Sequence, residues 1–167
     1  MRVFVAADIT DDNIRHNIMT AQDIIGGQNV KQENLHFTLQ FLGEVDELCI
    51  HQIVSTLQTI KFNKFNVILY GLGTFGRPVR VIWVGVNDPT PLQDLSCIIG
   101  HALNKKTDKK FTPHVTISRL KKNNKINITQ YEDYIWGTQS MDRFKIKESV
   151  LSPSGPVYVD LAEVTCT

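Results

Sequence analysis

Two short segments of this 167-residue chain repeat one pattern of chemistry-bearing residues. They are Leu35-His36-Phe37-Thr38-Leu39 and Pro113-His114-Val115-Thr116-Ile117. Each is His-x-Thr followed by an aliphatic residue, set in a β-rich run. Successive side chains of a strand point to opposite faces, so residues i and i+2 share one. His36 and Thr38 therefore project together, with Leu35, Phe37 and Leu39 behind them. His114 and Thr116 do the same over Val115 and Ile117. Imidazoles titrate near neutrality, so one can act as base while the other acts as acid. Threonine hydroxyls can bond the non-bridging oxygens of a phosphoryl group. Two such strands side by side would clamp a phosphodiester, one imidazole at the incoming oxygen and one at the leaving oxygen. The spacing demands one base and one acid and does not order them. No third His, Cys or carboxylate stands at ligand spacing, so no metal is expected. His16, His51 and His101 fall in helical patterns and are expected at the surface or at helix ends.

The elements that must position these residues follow from hydrophobic periodicity. Arg2 to Ala7 reads as a buried strand. Thr10 is placed to cap a helix carrying Ile14, Ile18, Ala21 and Ile25 on one face and ending at Gly26-Gly27. Leu35 to Leu42 alternates as a strand. A second helix starts at Asp46, with Ile50, Ile53, Val54, Leu57 and Ile60 as its stripe. Strands are expected at Phe65 to Tyr70 and Val79 to Val86. Thr90-Pro91-Leu92-Gln93 reads as a capping box opening a third helix. Val115 to Ser118 is a strand and Ile126 to Ile135 a weaker helix. Phe144 to Leu151 and Pro156 to Ala162 form a hairpin around Ser152-Pro153-Ser154-Gly155. Helices separated by pairs of strands favour α+β with antiparallel pairing over a doubly wound parallel sheet.

Gly71-Leu72-Gly73-Thr74-Phe75-Gly76 satisfies GxGxxG. A dinucleotide site needs a helix directly after it, and here Arg77-Pro78 and another strand follow, so these glycines are expected in a turn between antiparallel strands. Cys49, Cys97 and Cys166 are too scattered for disulfides or zinc. The first two are expected as small buried hydrophobes. Hydrophobic residues make up 42% and charged residues 21%, the balance of a folded globular protein. No apolar run is long enough for a signal peptide or membrane span, which points to a cytoplasmic protein. The net charge of +1 excludes a protein that coats nucleic acid by charge alone. Yet Lys105, Lys106, Lys109, Lys110, Arg119, Lys121, Lys122 and Lys125 bracket the second motif against Asp108 alone. That segment carries +7 and the remainder −6.

At these residues the sequence resembles the 2H phosphoesterase superfamily, named for two His-x-Thr motifs. It is most similar to the RNA 2′,3′-cyclic phosphodiesterases, also called 2′-5′ RNA ligases (the LigT/ThpR group). The resemblance runs nearly end to end. It covers Arg2 to Asp8, Glu33 to Val45, Gly71 to Phe75 with Val79 to Val86, Phe111 to Arg119 and Ser152 to Tyr158. A departure lies at Val30-Lys31, where the family often carries tryptophan. The resemblance implies an α+β bilobal fold over 1–167 as a single domain: two antiparallel-sheet lobes, helices outside, a central cleft, one motif on each wall. It implies hydrolysis of RNA 2′,3′-cyclic phosphate ends to 2′-phosphomonoesters, with no metal or cofactor. It makes His36 the proton donor to the 3′ oxygen and His114 the proton acceptor from water. Thr38 and Thr116 would hold the non-bridging oxygens. Arg119, Arg80, Tyr158 and Lys110 are the substrate-binding candidates. Strict alternation puts Arg119 off the His114 face unless the strand ends or bulges at Ser118. Phe41 shares the Phe37 face and is expected in the core, while Trp83 is either core or a base-stacking platform.

The implied partner is RNA with a 2′,3′-cyclic phosphate end, tRNA fragments among the candidates, met by a monomer away from any membrane. Three other functions stay open. One is the same site run in reverse as a 2′-5′ RNA ligase. Another is a phosphodiesterase for a different cyclic nucleotide. The third is a non-catalytic RNA-end-binding module, whose signature would be a lost histidine or threonine.

Overall fold

The β-rich opening resolves as β1 (Arg2–Asp8), and the chain continues α1 (Asp12–Ile25), β2 (Gln28–Asn29) and β3 (His36–Glu44). Then come α2 (Glu47–Gln58), β4 (Phe65–Phe75), β5 (Val81–Val86) and α3 (Thr90–Ala102). The remainder is β6 (Val115–Arg119), β7 (Ile135–Met141), β8 (Arg143–Ser152) and β9 (Gly155–Thr165). These elements come from a computed structural model that describes residues 1–105, 111–121 and 126–167. The strands run β7-β4-β5-β6-β3-β1-β8-β9, with β2 added on β6, and every pairing is antiparallel. The α+β expectation holds. Two four-stranded halves, β7-β4-β5-β6 and β3-β1-β8-β9, meet where β3 and β6 pair through Phe37 and Val115.

The helices cover one face of this sheet. Ile14, Ile18 and Ala21 of α1 are fully buried, as are Phe37 and Leu39 of β3 and Val115 and Ile117 of β6. Burying one such aliphatic or aromatic side chain contributes about 1.5–3 kcal/mol. Polar groups tie the helices down. Gln22 is buried and its Nε2 donates to the Val30 and Ile117 carbonyls at 2.9 and 2.8 Å. The Ser96 hydroxyl of α3 donates to the Leu39 carbonyl at 2.7 Å. Gly26, at φ +77°, ends α1 as expected and donates to the Gln22 carbonyl.

Several local expectations change. Asp11, not Thr10, caps α1, its Oδ1 accepting from the Ile14 N–H at 2.9 Å. The Asp88 carboxylate, not a capping box, accepts from the Thr90 N–H at the start of α3. Between Ile126 and Ile135 the chain makes one 3-10 turn (Thr129–Tyr131) and enters β7, so the weaker helix is absent there. Gly71 and Gly73 lie inside β4, and only Gly76 sits in the turn to β5. Cys49 and Cys97 are exposed, because the buried stripes of α2 and α3 pass through Leu57 and through Leu92, Leu95, Ser96 and Ile99 instead. No helix among the described residues is long and apolar enough to cross a membrane.

Candidate active site

The face opposite the helices carries a cleft of about 800 Å³ where the two halves meet. His36, Thr38, His114 and Thr116 all line it. The residue between His and Thr in each motif is the one that pairs, Phe37 with Val115. Antiparallel register then sets His36 beside Thr116 and Thr38 beside His114, on one face. The two histidines are diagonal neighbours, whose Cα atoms lie roughly 7–8 Å apart in a regular ladder.

Each imidazole is held in one tautomer. His36 Nδ1 donates to the Asn34 carbonyl and His114 Nδ1 to the Thr112 carbonyl, both at 2.7 Å. A carbonyl can only accept, so in the neutral ring the lone pair sits on Nε2. His36 Nε2 faces the Thr38 hydroxyl at 3.0 Å. Aromatic rings brace both histidines. Phe4 and Tyr158 lie 5.2 and 5.4 Å from the His36 ring, and Phe75 and Trp83 lie 5.0 and 5.7 Å from that of His114.

The two rings differ in their electrostatics. Burial pushes His36 below its ordinary value of 6.5. The Asn34 carbonyl and the Asp8 charge oppose that shift, while Lys147 and His114 reinforce it. Asp8 stands opposite His36 in the β1–β3 register and belongs to an ion quartet. Lys147 Nζ bonds Asp8 Oδ1 at 3.1 Å and Asp160 Oδ1 at 2.8 Å. Lys145 Nζ bonds Asp8 Oδ2 at 3.1 Å and Asp160 Oδ2 at 2.7 Å. Burial pushes the Asp160 carboxyl up, but the lysine hydrogen bonds outweigh it and hold it below the usual carboxylate range.

Two bulges decide which further residues reach the cleft. In β3, Thr38 pairs with Ala6 and Gln40 with Val5, leaving Leu39 over. That extra residue reverses the alternation, so Phe41 turns to the cleft and is 73% exposed rather than in the core. In β6, Thr116 pairs with Trp83 and Ser118 with Ile82, leaving Ile117 over. Arg119 thereby joins the His114 face and lines the cleft. Tyr158 lines it too. Arg80 is not among the lining residues; its backbone bonds Phe75 and Leu120 at the end of the β4–β5 hairpin. Lys110 lies outside the described residues, as do Lys106, Lys109, Lys122 and Lys125. Arg2, Lys31 and Phe75 also line the cleft and went unread in the sequence. Among the described residues that line it there is no Asp or Glu. No three His, Cys, Asp or Glu side chains among the described residues converge as a metal site.

The arrangement is one of two imidazoles and two hydroxyls facing a cleft lined by basic and aromatic side chains, and the chain as a whole is similar to known proteins. The model of the 2′-5′ RNA ligase superfamily matches residues 10–146. A protein of Archaeoglobus fulgidus named RNA 2′,3′-cyclic phosphodiesterase is 35% identical over 96% of this chain and 98% of its own. One of the same name from Methanocaldococcus jannaschii is 34% identical over 98% of this chain and 99% of its own. The crystal structure of E. coli LigT complexed with 3′-AMP matches with a TM-score of 0.84 at 25% identity, covering 99% of this chain and 98% of that one.

Proposed function

The chain belongs to the 2′-5′ RNA ligase superfamily, and from that membership we propose that it hydrolyses RNA 2′,3′-cyclic phosphate ends to 2′-phosphomonoesters. The observation that carries the reading is the crossing of two His-x-Thr strands at Phe37 and Val115, with both imidazoles in one cleft. Water attacks phosphorus on the side opposite O3′. His114 Nε2 takes the water proton as the new P–O bond forms. The P–O3′ bond breaks, and His36 Nε2 gives its proton to O3′. The geometry accommodates either order of the two roles, and this order follows the family resemblance. Each proton transfer contributes about 10²–10⁴-fold. No metal takes part in this scheme.

The surroundings support the assignment. His36 must be protonated to act, and its buried ring resists that charge in the free protein. A phosphodiester anion beside it favours the imidazolium. An acid of low pKa then gives up its proton readily. Substrate O3′ replaces the Thr38 hydroxyl at Nε2, which frees Thr38 for a non-bridging oxygen. Thr116 serves the other strand in the same way. Arg119, with Arg2 and Lys31, supplies positive charge at the cleft. Tyr158 and the exposed Phe41 offer ring faces for a terminal base. Arg80, at the end of the β4–β5 hairpin, would act further out along the RNA, and the family resemblance adds Lys110 as a contact. The whole chain acts as one unit, a monomer in the cytoplasm, on RNA ends that include those of tRNA fragments.

The test is hydrolysis of an oligoribonucleotide ending in a 2′,3′-cyclic phosphate, with and without EDTA and with and without a 5′-hydroxyl acceptor. A 2′-phosphate product, undiminished by EDTA and lost in His36→Ala and His114→Ala proteins that keep their circular dichroism, is expected. A 3′-phosphate product, or turnover surviving either substitution, overturns the mechanism. Joined product exceeding hydrolysed end would make the chain a ligase first.

A further inference from the structure

The glycine pattern of residues 71–76 is no dinucleotide loop, yet one of its glycines bears on the cleft. Gly73 stands directly opposite Trp83 in the β4–β5 ladder. A Cβ on Gly73 would fall 2.5 Å from the indole Cε2, well inside contact distance. Bare backbone there lets the indole lie flat across β4. Gly85 clears the other side, where a Cβ would sit 3.3 Å from Cζ3. Laid down in this way, the indole meets Phe75 at 5.1 Å and His114 at 5.7 Å, and Phe75 meets His114 edge-on at 5.0 Å. Trp83 is also the register partner of Thr116. The Thr112 carbonyl fixes one corner of the His114 ring, at Nδ1. That bond alone leaves the ring free to turn about its own axis, and the two aromatic faces take that freedom away.

The indole carries a cost. Its Nε1–H is buried and has no hydrogen-bond partner among the described residues. A buried donor without a partner is unfavourable, and phenylalanine would avoid it. Packing alone therefore does not explain tryptophan at this position.

We infer that Gly73 and Trp83 are positioning residues for His114: the indole laid over the bare Gly73 backbone, braced by Phe75, sets the plane of the imidazole and so the direction of its Nε2 lone pair. The kinetic part of this inference rests on the proposed hydrolysis; the orientation part does not. Ring orientation matters in proton transfer and not in holding the substrate, so its loss belongs in kcat rather than KM.

The test compares Trp83→Phe, Trp83→Leu and Gly73→Ala. Leucine fills space without a flat ring, and phenylalanine keeps the ring. The readouts are 15N NMR of the His114 ring nitrogens in the free protein, and kcat and KM on cyclic-phosphate RNA. Wild-type protein is expected to show the Nδ1–H tautomer of His114. Trp83→Leu and Gly73→Ala are expected to show a tautomer mixture and a kcat lowered about 10- to 100-fold, with KM within about threefold. Trp83→Phe, whose flat ring is smaller than the indole, should fall between Trp83→Leu and wild type. Folded Trp83→Leu protein with unchanged His114 nitrogen shifts overturns the inference, and so does a loss confined to KM. If Trp83→Leu or Gly73→Ala fails to fold, Trp83→Phe decides, because wild-type His114 nitrogen shifts and a wild-type kcat in that folded protein would overturn it. Wild-type protein inert on cyclic-phosphate RNA would sink the proposed hydrolysis, while the NMR comparison would still decide the role of Trp83.

Discussion

Replacing Lys147 with methionine tests the electrostatics beside His36. The change keeps most of the stem's packing and removes the ammonium. In the native protein the Lys147 side chain is 6% exposed and its ammonium bonds both Asp8 and Asp160. Breaking a buried ion pair by deleting one partner costs about 3–5 kcal/mol. Here the cost is smaller, because Asp160 is 45% exposed and regains water, and both carboxylates keep Lys145. A loss of about 2 kcal/mol is expected, hence a Tm lowered by roughly 4–8 °C for a chain of this size. The deficit depends on pH with a definite sign. Asp160 titrates below its ordinary 3.8, so the stability it contributes is present above that value and is lost as pH falls through its folded-state value. The Tm difference between wild type and Lys147→Met should therefore be full near neutrality and shrink in acid. The same substitution removes a cation that holds His36 down, so the limb of the kcat/KM profile that reports His36 should move up in pH. Calorimetry across pH, with the pH–rate profile on the same proteins, provides both readings. An equal Tm deficit at pH 3 and pH 7, or the His36 limb moved down, would refute the reasoning.

Other outcomes follow from the same cleft. In wild-type protein kcat/KM should be bell-shaped, with the limb that reports His36 below pH 6.5, because burial disfavours the His36 imidazolium in the free protein. Phe41→Ala should leave urea stability within about 0.5 kcal/mol, since the ring is 73% exposed, and should raise KM for base-bearing substrates. Arg119→Ala should weaken binding and flatten its dependence on salt, measured by titrating KM against sodium chloride. Gln22→Leu takes the Gln22 donor from the Val30 carbonyl and leaves the Ile117 carbonyl with the Val30 N–H alone, and should cost about 1–3 kcal/mol in urea unfolding while kcat stays put.

The motif strands were legible because a period of two is the strongest short-range signal a chain carries. His36 and Thr38 share a face whatever the rest of the sheet does. Phe41 and Arg119 show where that legibility stops. Both lie beyond a bulge, and a bulge is a fact about two strands, so alternation within one cannot reveal it. For Arg119 the family resemblance pointed to the right face while parity pointed away. The exposed Cys49 and Cys97 show a different failure. Residue type favours burial of both, but the phase of the stripe decides, and the core-facing place beside Cys97 belongs to Ser96, whose hydroxyl is satisfied by the Leu39 carbonyl. Strand β7 was missed because Ile135–Met141 mixes Gly137, Thr138 and Ser140 among its apolar residues. Its identity comes from pairing along β4.

The pairing of Phe37 with Val115 places a local dyad through the floor of the cleft. About that axis His36 exchanges with His114 and Thr38 with Thr116. In-line displacement at phosphorus has the same symmetry, since the entering and leaving oxygens trade places when the reaction is reversed. The dyad by itself thus has no preference between making and breaking a phosphodiester, or between one histidine and the other as donor. Direction has to come from what breaks the symmetry. On one side that is Phe4, Tyr158 and the quartet of Asp8, Lys145, Lys147 and Asp160; on the other it is Phe75 and Trp83, with no such quartet among the described residues. In the proposed reaction, substitutions on these flanks are therefore the ones to alter which way protons flow, and with it the balance between hydrolysis and joining, without touching the two histidines or the two threonines.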